Sequence, residues 1–429
     1  VKDWPAEQAQ RTPDLPFLAA PERTVSYAEA EQMVRRTAGG LASSIAPGDL
    51  VGVRASSEIQ TVATMLAVPR VGGVVLPLGA RLTSREVDEL CGRLGATVLD
   101  EIREEGPALE PPDVDPDEPF AVFPTSGSTG DPKGVVLTRA NLGAAAAASA
   151  VFLGHRRGDR WLCVLPLNHV GGFSIVIRSS SVGGRVVLEP EFDPERTAAL
   201  LHRVEFASLV PVMLERLLAH ARAPFDGLRA VLVGGGPVSA ELLDRAGKAG
   251  IPAVATYGST ETSAQIATGR PGERTVRSLP GVTLATTDQG EIVVDGPMVS
   301  PGYWGEPVRE GPYHTGDVGR LDADGNLTVM GRIDDMIVTG GENVYPLEVE
   351  RVLATHPDIL DVVVVAADDA EWGRALHAFI VSKELDSAGL EGWVRQRLAG
   401  YKVPKRWRFV DAIPRTSMGK PDRDVMDIR

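Results

Sequence analysis

Apolar and polar positions along this chain follow two periods that repeatedly exchange places. SYAEAEQMVRRTAGGLASSI (26–45) spaces its apolar residues as one face of a helix, and TVATMLAVPRVG (61–72) does the same. LVGVRA, GGVVLPL, ATVLD, WLCVLPL, GRVVLEP, FASLVPV and RAVLVGGG are short apolar runs bounded by turn residues, the pattern of buried strands. PERTAALLHRV and PVMLERLLAHAR return to helical spacing. Strand and helix in turn predict α/β layers with a largely parallel sheet. After Thr283 the pattern shortens to GEIVVDG and GNLTVMGR, which predict a small β subdomain. The best boundary lies near Ile333. Beyond it VYPLEVERVLATHPDI and LEGWVRQRLAG read as helices, DVVVVAADD and RALHAFIVS as strands, together a compact α+β module. The expected organisation is a large α/β domain over 1–333 and a small α+β domain over 334–429.

Composition narrows the class. A chain of 429 residues is too long for one ordinary core, so two or three domains are expected. Hydrophobic residues at 43% and charged residues at 24% fit a soluble globular protein. A net charge of −14 argues against a nucleic-acid or anionic-membrane partner. It leaves room for a local basic site that takes ATP with Mg²⁺. Cys91 and Cys163 give no disulfide framework and fit a reducing compartment, so a cytoplasmic location is expected. The longest apolar candidate, LGAAAAASAVFLG, is too short to span a bilayer. The opening VKDWPAEQ has no signal-like apolar run and no Met, which leaves open whether the native start lies upstream. The oligomeric state is open too, a homo-oligomer included.

Chemistry concentrates first in AVFPTSGSTGDPKGVVLTRANL (121–142), which follows the acidic, proline-rich EEGPALEPPDVDPDEP. A strand enters and a helix leaves. Between them Gly127, Gly130 and Gly134 permit positive φ, so backbone amides can turn toward one centre. Thr125, Ser126, Ser128 and Thr129 add hydroxyl donors, and Lys133 adds a charge for a terminal phosphate. A flexible linker is the bland alternative, but it needs neither the flanking elements nor the PKG ending. The GxxxxGK[ST] order is absent, so a polyphosphate site outside the ordinary P-loop fold is expected.

Further pieces follow strands. Gly234, Gly235 and Gly236 end RAVLVGGG and leave room for a flat ring, or form a tight turn. TYGSTE sets the Thr260 hydroxyl beside the Glu261 carboxylate, hard oxygens that suit phosphate and Mg²⁺. Asp317 in YHTGD can accept two hydroxyl hydrogens, as a ribose offers, or stabilise a turn. His169 follows a strand and precedes VGGF; a structural role competes with a chemical one.

These residues, in this order, resemble the acyl-adenylate-forming superfamily of acyl-CoA synthetases, luciferases and peptide-synthetase adenylation domains. The resemblance covers nearly the whole chain. It rests on TSGSTGDPKG, PLNHVGG, GGGP, TYGSTE, YHTGD, GRIDDMI, GGENVYPLEVE and PRTSMGK. It implies an ATP site of Thr125, Ser126, Gly127, Ser128, Thr129, Gly130 and Lys133 for phosphate. Gly235, Gly236, Pro237, Thr256, Tyr257 and Gly258 would serve adenine and phosphate, with Tyr257 as the stacking aromatic. Asp317 and Arg332 would hold the ribose, and Thr260 and Glu261 the phosphate and metal. His169 would gate the acyl pocket. Asp334 matches the hinge, Gly340, Gly341 and Glu342 the thiol tunnel, and Lys420 the adenylation lysine, which composition alone would leave as a solvated tail residue. The implied reaction joins a carboxylate to AMP, expels pyrophosphate, and passes the acyl group to the thiol of coenzyme A. No protein nucleophile is needed.

The stretch LPLNHVGGFSIVIRSSSVGGRVVLEPEFD (165–193), with TETSAQIAT, is similar to o-succinylbenzoate–CoA ligases of menaquinone synthesis. Asn168 stands where those enzymes commonly have an aromatic residue and Ser259 where Met is common. The implied acyl pocket is His169, Phe173, Ser174, Arg178, Gly258, Ser259 and Gln265. If GGFSIVIRSS is helical, Ser174 and Arg178 share a face and can meet a second carboxylate, though Arg178 could equally cap or pair elsewhere. The competing readings are a ligase for another aryl or fatty acid, an adenylation domain that loads a carrier protein, and a non-catalytic acyl- or nucleotide-binding protein.

Overall fold

The computed structural model describes residues 3–99, 106–113, 115–126, 132–273, 275–339, 342–369, 372–382, 387–415 and 421–426. The fold is mixed α/β, with a large N-terminal domain built on two sheets and a small C-terminal domain. The larger sheet has 13 strands. Its middle is parallel: Arg160–Cys163, Phe206–Leu209, Ala230–Val233 and Ala253–Tyr257 run side by side. These strands are near-continuous apolar runs because helices cover the faces that solvent would otherwise reach. Beyond Tyr257 the pairing turns antiparallel, through Ala267–Thr268 and Val276–Ser278 to Asn326–Arg332 and Tyr313–Leu321. The short β segments expected after Thr283 thus continue the large sheet edge to edge.

The second sheet has 6 strands and contains the hairpin of Pro119–Ser126 with Pro132–Thr138. Helices Arg139–Leu153 and Val170–Val182 pack together between the sheets. The first is started by Thr138, whose hydroxyl accepts from Asn141 N at 3.1 Å while the Asn141 side chain accepts from Thr138 N at 3.0 Å. The Asn141 amide also donates to the carbonyls of Pro297 and Val299 at 2.9 and 3.0 Å, which ties the helix start to the far sheet. Phe173 on the second helix and Trp161, Phe206, Phe123 and Leu137 on the strands lie fully buried in one core.

Some predicted bounds shift for local reasons. TVATMLAVPRVG divides into a helix, Ile59–Ala67, and a 3₁₀ turn, Val68–Val71, because Pro69 cannot continue the ladder. FASLVPV ends as a strand at Leu209, and Pro211 opens the next helix, Pro211–Leu218. The C-terminal sheet joins Ile359–Asp369, Gly373–Ser382 and Arg406–Phe409, with Pro346–Ala354 packed on it. No helix among the described residues is long and apolar enough to cross a membrane.

Candidate active site

The four central parallel strands end on one edge, and three of the expected motifs leave from that edge. Cys163 leads to the 165–172 segment with His169. Val233 leads to Gly234–Gly236, and Tyr257 to Gly258 and the 259–263 turn. Open α/β sheets bind ligands at the carboxyl ends of their strands, so this edge is the natural site.

Tyr257 closes the last parallel strand, half-buried, and its hydroxyl donates to Asp317 Oδ2 at 2.7 Å. Burial, then the Asp317 charge, hold the phenol proton well above the usual range. Asp317 pairs in register with Arg332 across the antiparallel strands, their side chains 3.4 Å apart. Arg332 also donates to Thr315 O at 2.9 Å and reaches Asp334 Oδ2 at 3.4 Å. Burial works against the Arg332 charge, but Asp317 and Asp334 outweigh it, and its pKa is raised. Aromatic ring, carboxylate and guanidinium thus stand as one set.

The three glycines after Val233 differ from one another. A Cβ on Gly234 would stand 2.3 Å from Thr256 Oγ1, so its bareness serves packing of the neighbouring strand. Gly235 takes φ of +75° and turns the chain. A Cβ on Gly236 would meet only Pro211, at 3.8 Å, so this position has the free space a flat ring needs. Pro237 follows, exposed.

The hairpin brings Thr125 opposite Lys133, with the Thr125 hydroxyl 3.5 Å from Lys133 O. Gly127, Ser128, Thr129 and Gly130 lie outside the described residues, as do Gly340, Gly341 and Lys420. Ser126 ends its strand. Lys133 lies 3.2 Å from Glu306 and 4.8 Å from the Tyr303 ring centroid. Tyr303 in turn donates to Glu261 Oε1 at 3.2 Å. Neither Tyr303 nor Glu306 stood out in the sequence; SPGYWGEP reads as an ordinary loop, and only the fold brings it here. Thr260 and Glu261 share a 3₁₀ turn. Among the described residues there is no group of three or more His, Cys, Asp or Glu that could hold a metal ion. One carboxylate with a neighbouring hydroxyl does fit Mg²⁺ of the kind that rests mainly on substrate phosphates and water.

The turn from Gly258 to Gln265 is closed on itself. Ala264 N donates to Ser259 O at 3.0 Å, and the Ser263 hydroxyl to Met298 O at 2.8 Å. Ser263 and Ala264 take φ of 54° and 86°, a left-handed conformation costly for residues with a Cβ. A Cβ on Gly258 would stand 1.9 Å from the Ala264 carbonyl oxygen. Gly258→Ala is expected to cost about 1–3 kcal/mol of stability, as overpacking against backbone does. Thermal unfolding checks it: an unchanged Tm would mean that the turn yields without strain.

Helix Val170–Val182 bears the other expected pocket residues, and the helical reading of GGFSIVIRSS holds. His169 is its N-cap, with a ring nitrogen 3.3 Å from the Asn168 amide. Phe173 is spent in the core, tilted against Phe120 and Phe123 at 6.2 and 5.6 Å. Ser174 donates back to Gly171 O at 3.0 Å. Gln265 is 3% exposed and accepts from Ser149 at 3.0 Å while donating to Thr268 at 2.5 Å, so most of its capacity is used. Ser259 caps its own short turn, and its N–H donates to the Thr262 hydroxyl at 2.9 Å.

Arg178 is 4% exposed. Its Cζ lies 5.4 Å from the Trp161 ring centroid, and the Trp161 indole donates to Ser208 Oγ at 3.0 Å. Nε is buried with no acceptor, and no carboxylate among the described residues pairs with the guanidinium. Burial lowers its pKa to about 10, so it stays charged at neutral pH. Burial, then the Arg178 charge, hold the neighbouring His155 imidazole well below its usual range.

Comparison with known proteins follows this geometry. The family model described as "AMP-binding enzyme" matches residues 5–100 and 97–304, and "AMP-binding enzyme C-terminal domain" matches 348–420. A 2-succinylbenzoate–CoA ligase of Geobacillus kaustophilus is 36% identical, over 98% of this chain and 96% of that protein. A feruloyl-CoA synthase of an Amycolatopsis species is 34% identical, over 97% and 96%. The o-succinylbenzoate CoA synthetase of Bacillus subtilis, solved with the acyl-adenylate intermediate OSB-AMP, superposes with a TM-score of 0.90 at 31% identity, covering 100% of this chain and 98% of that one. Matched along both its large and small domains, the chain belongs to the AMP-binding enzyme family.

Proposed function

We propose that the protein is an ATP-dependent acid–thiol ligase that converts o-succinylbenzoate to o-succinylbenzoyl-AMP and then to o-succinylbenzoyl-CoA. The observation that carries the choice of acid is Arg178. A buried guanidinium without a carboxylate partner is costly, and a dianionic substrate that keeps one carboxylate through the reaction would supply the partner. The similarity to several 2-succinylbenzoate–CoA ligases, and to a B. subtilis synthetase solved with ATP and magnesium ion, supports the same reading.

Tyr257, Asp317 and Arg332 are assigned to the nucleoside, the 125–133 hairpin to the phosphates, and His169 to the mouth of the acyl pocket. Glu261 and Thr260 are the residues that would hold Mg²⁺, which supplies neutralisation of the phosphate charge. The work of this chain is positioning and charge stabilisation. The boundary is placed at Ile333/Asp334. There the exposed Asp334 side chain has, among the described residues, a single 3.4 Å contact to Arg332, a loose contact for a residue that must let the small domain turn between the two steps. Glu342, exposed on the short strand Glu342–Val344, is assigned to the thiol path.

The test is competition among acids with ATP, Mg²⁺ and coenzyme A, followed by AMP release. o-Succinylbenzoate is expected to be turned over far better than benzoate or a medium-chain fatty acid; a fatty acid that wins removes this substrate. Ferulate belongs in the panel, because a feruloyl-CoA synthase is as similar as most of the succinylbenzoate ligases. Thioester formation on coenzyme A with no other protein present separates a CoA ligase from an adenylation domain that loads a carrier.

A further inference from the structure

We propose that Tyr303 is a positioning residue that sets the phosphate-loop lysine, Lys133, and the Glu261 carboxylate in fixed relation, its ring seating the ammonium and its hydroxyl holding one carboxylate oxygen. The proposal rests on the ATP-dependent ligase reading.

The frame around Tyr303 is built from backbone bonds. Gly302–Tyr303 is a short strand paired with the arm of the hairpin that ends the phosphate loop, Gly302 opposite Val136 and Tyr303 opposite Val135. Trp304 N donates to Gly134 O at 2.7 Å, and the Ser300 hydroxyl to Val136 O at 2.6 Å. Ser300 N donates to Glu261 O at 2.7 Å. One segment, 300–304, therefore grips both the lysine-bearing arm and the turn that holds Glu261. The Trp304 indole pins the segment's far side to Leu94 O at 3.1 Å.

From this frame the side chain reaches two functional groups at once. Its hydroxyl lies 3.2 Å from Glu261 Oε1, and its ring centroid 4.8 Å from Lys133 Nζ. The consequence concerns a wasteful alternative. Lys133 and Glu261 carry opposite charges beside one another's neighbourhood, and a direct pair would take both from the substrate. Tyr303 stands between them. It satisfies one oxygen of Glu261, and it offers Lys133 an aromatic face. The ion pair that Lys133 does make, with Glu306 at 3.2 Å, has both side chains more than 40% exposed. Such a pair contributes little and exchanges readily for phosphate.

The experiment compares Tyr303→Phe with Tyr303→Leu by calorimetric titration of ATP, once in Mg²⁺ and once in EDTA. The Phe variant keeps the ring and loses the hydroxyl. Its Kd for ATP in Mg²⁺ is expected to rise roughly tenfold, the scale of a lost hydrogen bond to a charged group. Its Kd in EDTA, its Tm and its thioester formation from supplied acyl-adenylate are expected to match the unaltered protein. The Leu variant, which loses the seat for Lys133 as well, is expected to bind ATP more weakly in EDTA too. A Phe variant that binds ATP in Mg²⁺ as the unaltered protein does overturns the proposal. So does a Phe variant whose losses in Mg²⁺ and in EDTA are equal. If the Leu variant does not fold, the Phe variant decides alone. An unaltered protein that binds no ATP overturns the ligase reading, and this proposal with it.

Discussion

Replacing Arg178 with Met is expected to lower kcat/KM for o-succinylbenzoate by roughly 10²–10³-fold while leaving the weak turnover of benzoate within a fewfold. Truncating one partner of a buried charge pair commonly costs about 2–5 kcal/mol, and about 1.4 kcal/mol is a factor of ten. Benzoate has no second carboxylate, so it has no pair to lose. The same substitution is expected to raise the Tm of the ligand-free protein. Met has nearly the volume of the arginine stem and no charge. The guanidinium it removes is 4% exposed, with the Trp161 face 5.4 Å away and no carboxylate partner among the described residues to offset its burial. Function and stability then move in opposite directions, as at sites where a ligand completes an unbalanced charge. Steady-state kinetics on both acids and a thermal scan check it. Equal losses on the two acids, or a fall in Tm, would make Arg178 a structural cation and leave the second carboxylate without an anchor.

Much of this was legible along the chain, for identifiable reasons. The parallel strands are buried on both faces, so RAVLV and FASL show as unbroken apolar runs. The phosphate hairpin declares itself by its glycines and hydroxyls. The resemblance assigns Asp317 and Arg332 to one ribose, and antiparallel pairing makes them neighbours. The contacts that escaped are those with no local signature. The N-terminal helix Trp4–Arg11 has 8 residues, too few for a periodic pattern to stand out. Its N-cap, Asp3, accepts from Ala6 N at 3.3 Å and is also drawn to Arg70 at 2.7 Å, and Arg70 meets Glu31 at 2.6 Å. Nothing near any one of the three announces the other two. Tyr303 is the same case at the site: its loop is ordinary, and its importance comes from where strand pairing puts it. Gln265 and Phe173, which the resemblance assigns to the acyl pocket, are also engaged in packing, and no sequence pattern announces the partners they find there.

Lys420→Ala is expected to slow acyl-adenylate formation by roughly 10²–10³-fold or more, the cost of removing one preorganised charge from a developing oxyanion. In the first step a carboxylate must approach an α-phosphate, two anions brought to bonding distance. At about 3.3 Å and an effective dielectric of about 20, that repulsion is roughly 5 kcal/mol. A lysine that bridges the two offsets much of it and gains strength as charge builds in the transition state. The second step has no such need: a thiol attacks an acyl carbonyl already activated by AMP. Thioester formation from supplied acyl-adenylate should therefore change by no more than a fewfold. The residues that flank this lysine are well anchored. Arg415 bridges Pro421, and Arg423 donates to buried Glu350 at 2.6 Å. Removing the Lys420 side chain should accordingly leave the small domain folded and its Tm unchanged. Pyrophosphate release and thioester formation, measured separately, are the readouts. If both half-reactions fall together, the variant has disturbed the domain rather than one step. If neither falls, some other cation neutralises the α-phosphate, and Lys420 has no part in the chemistry.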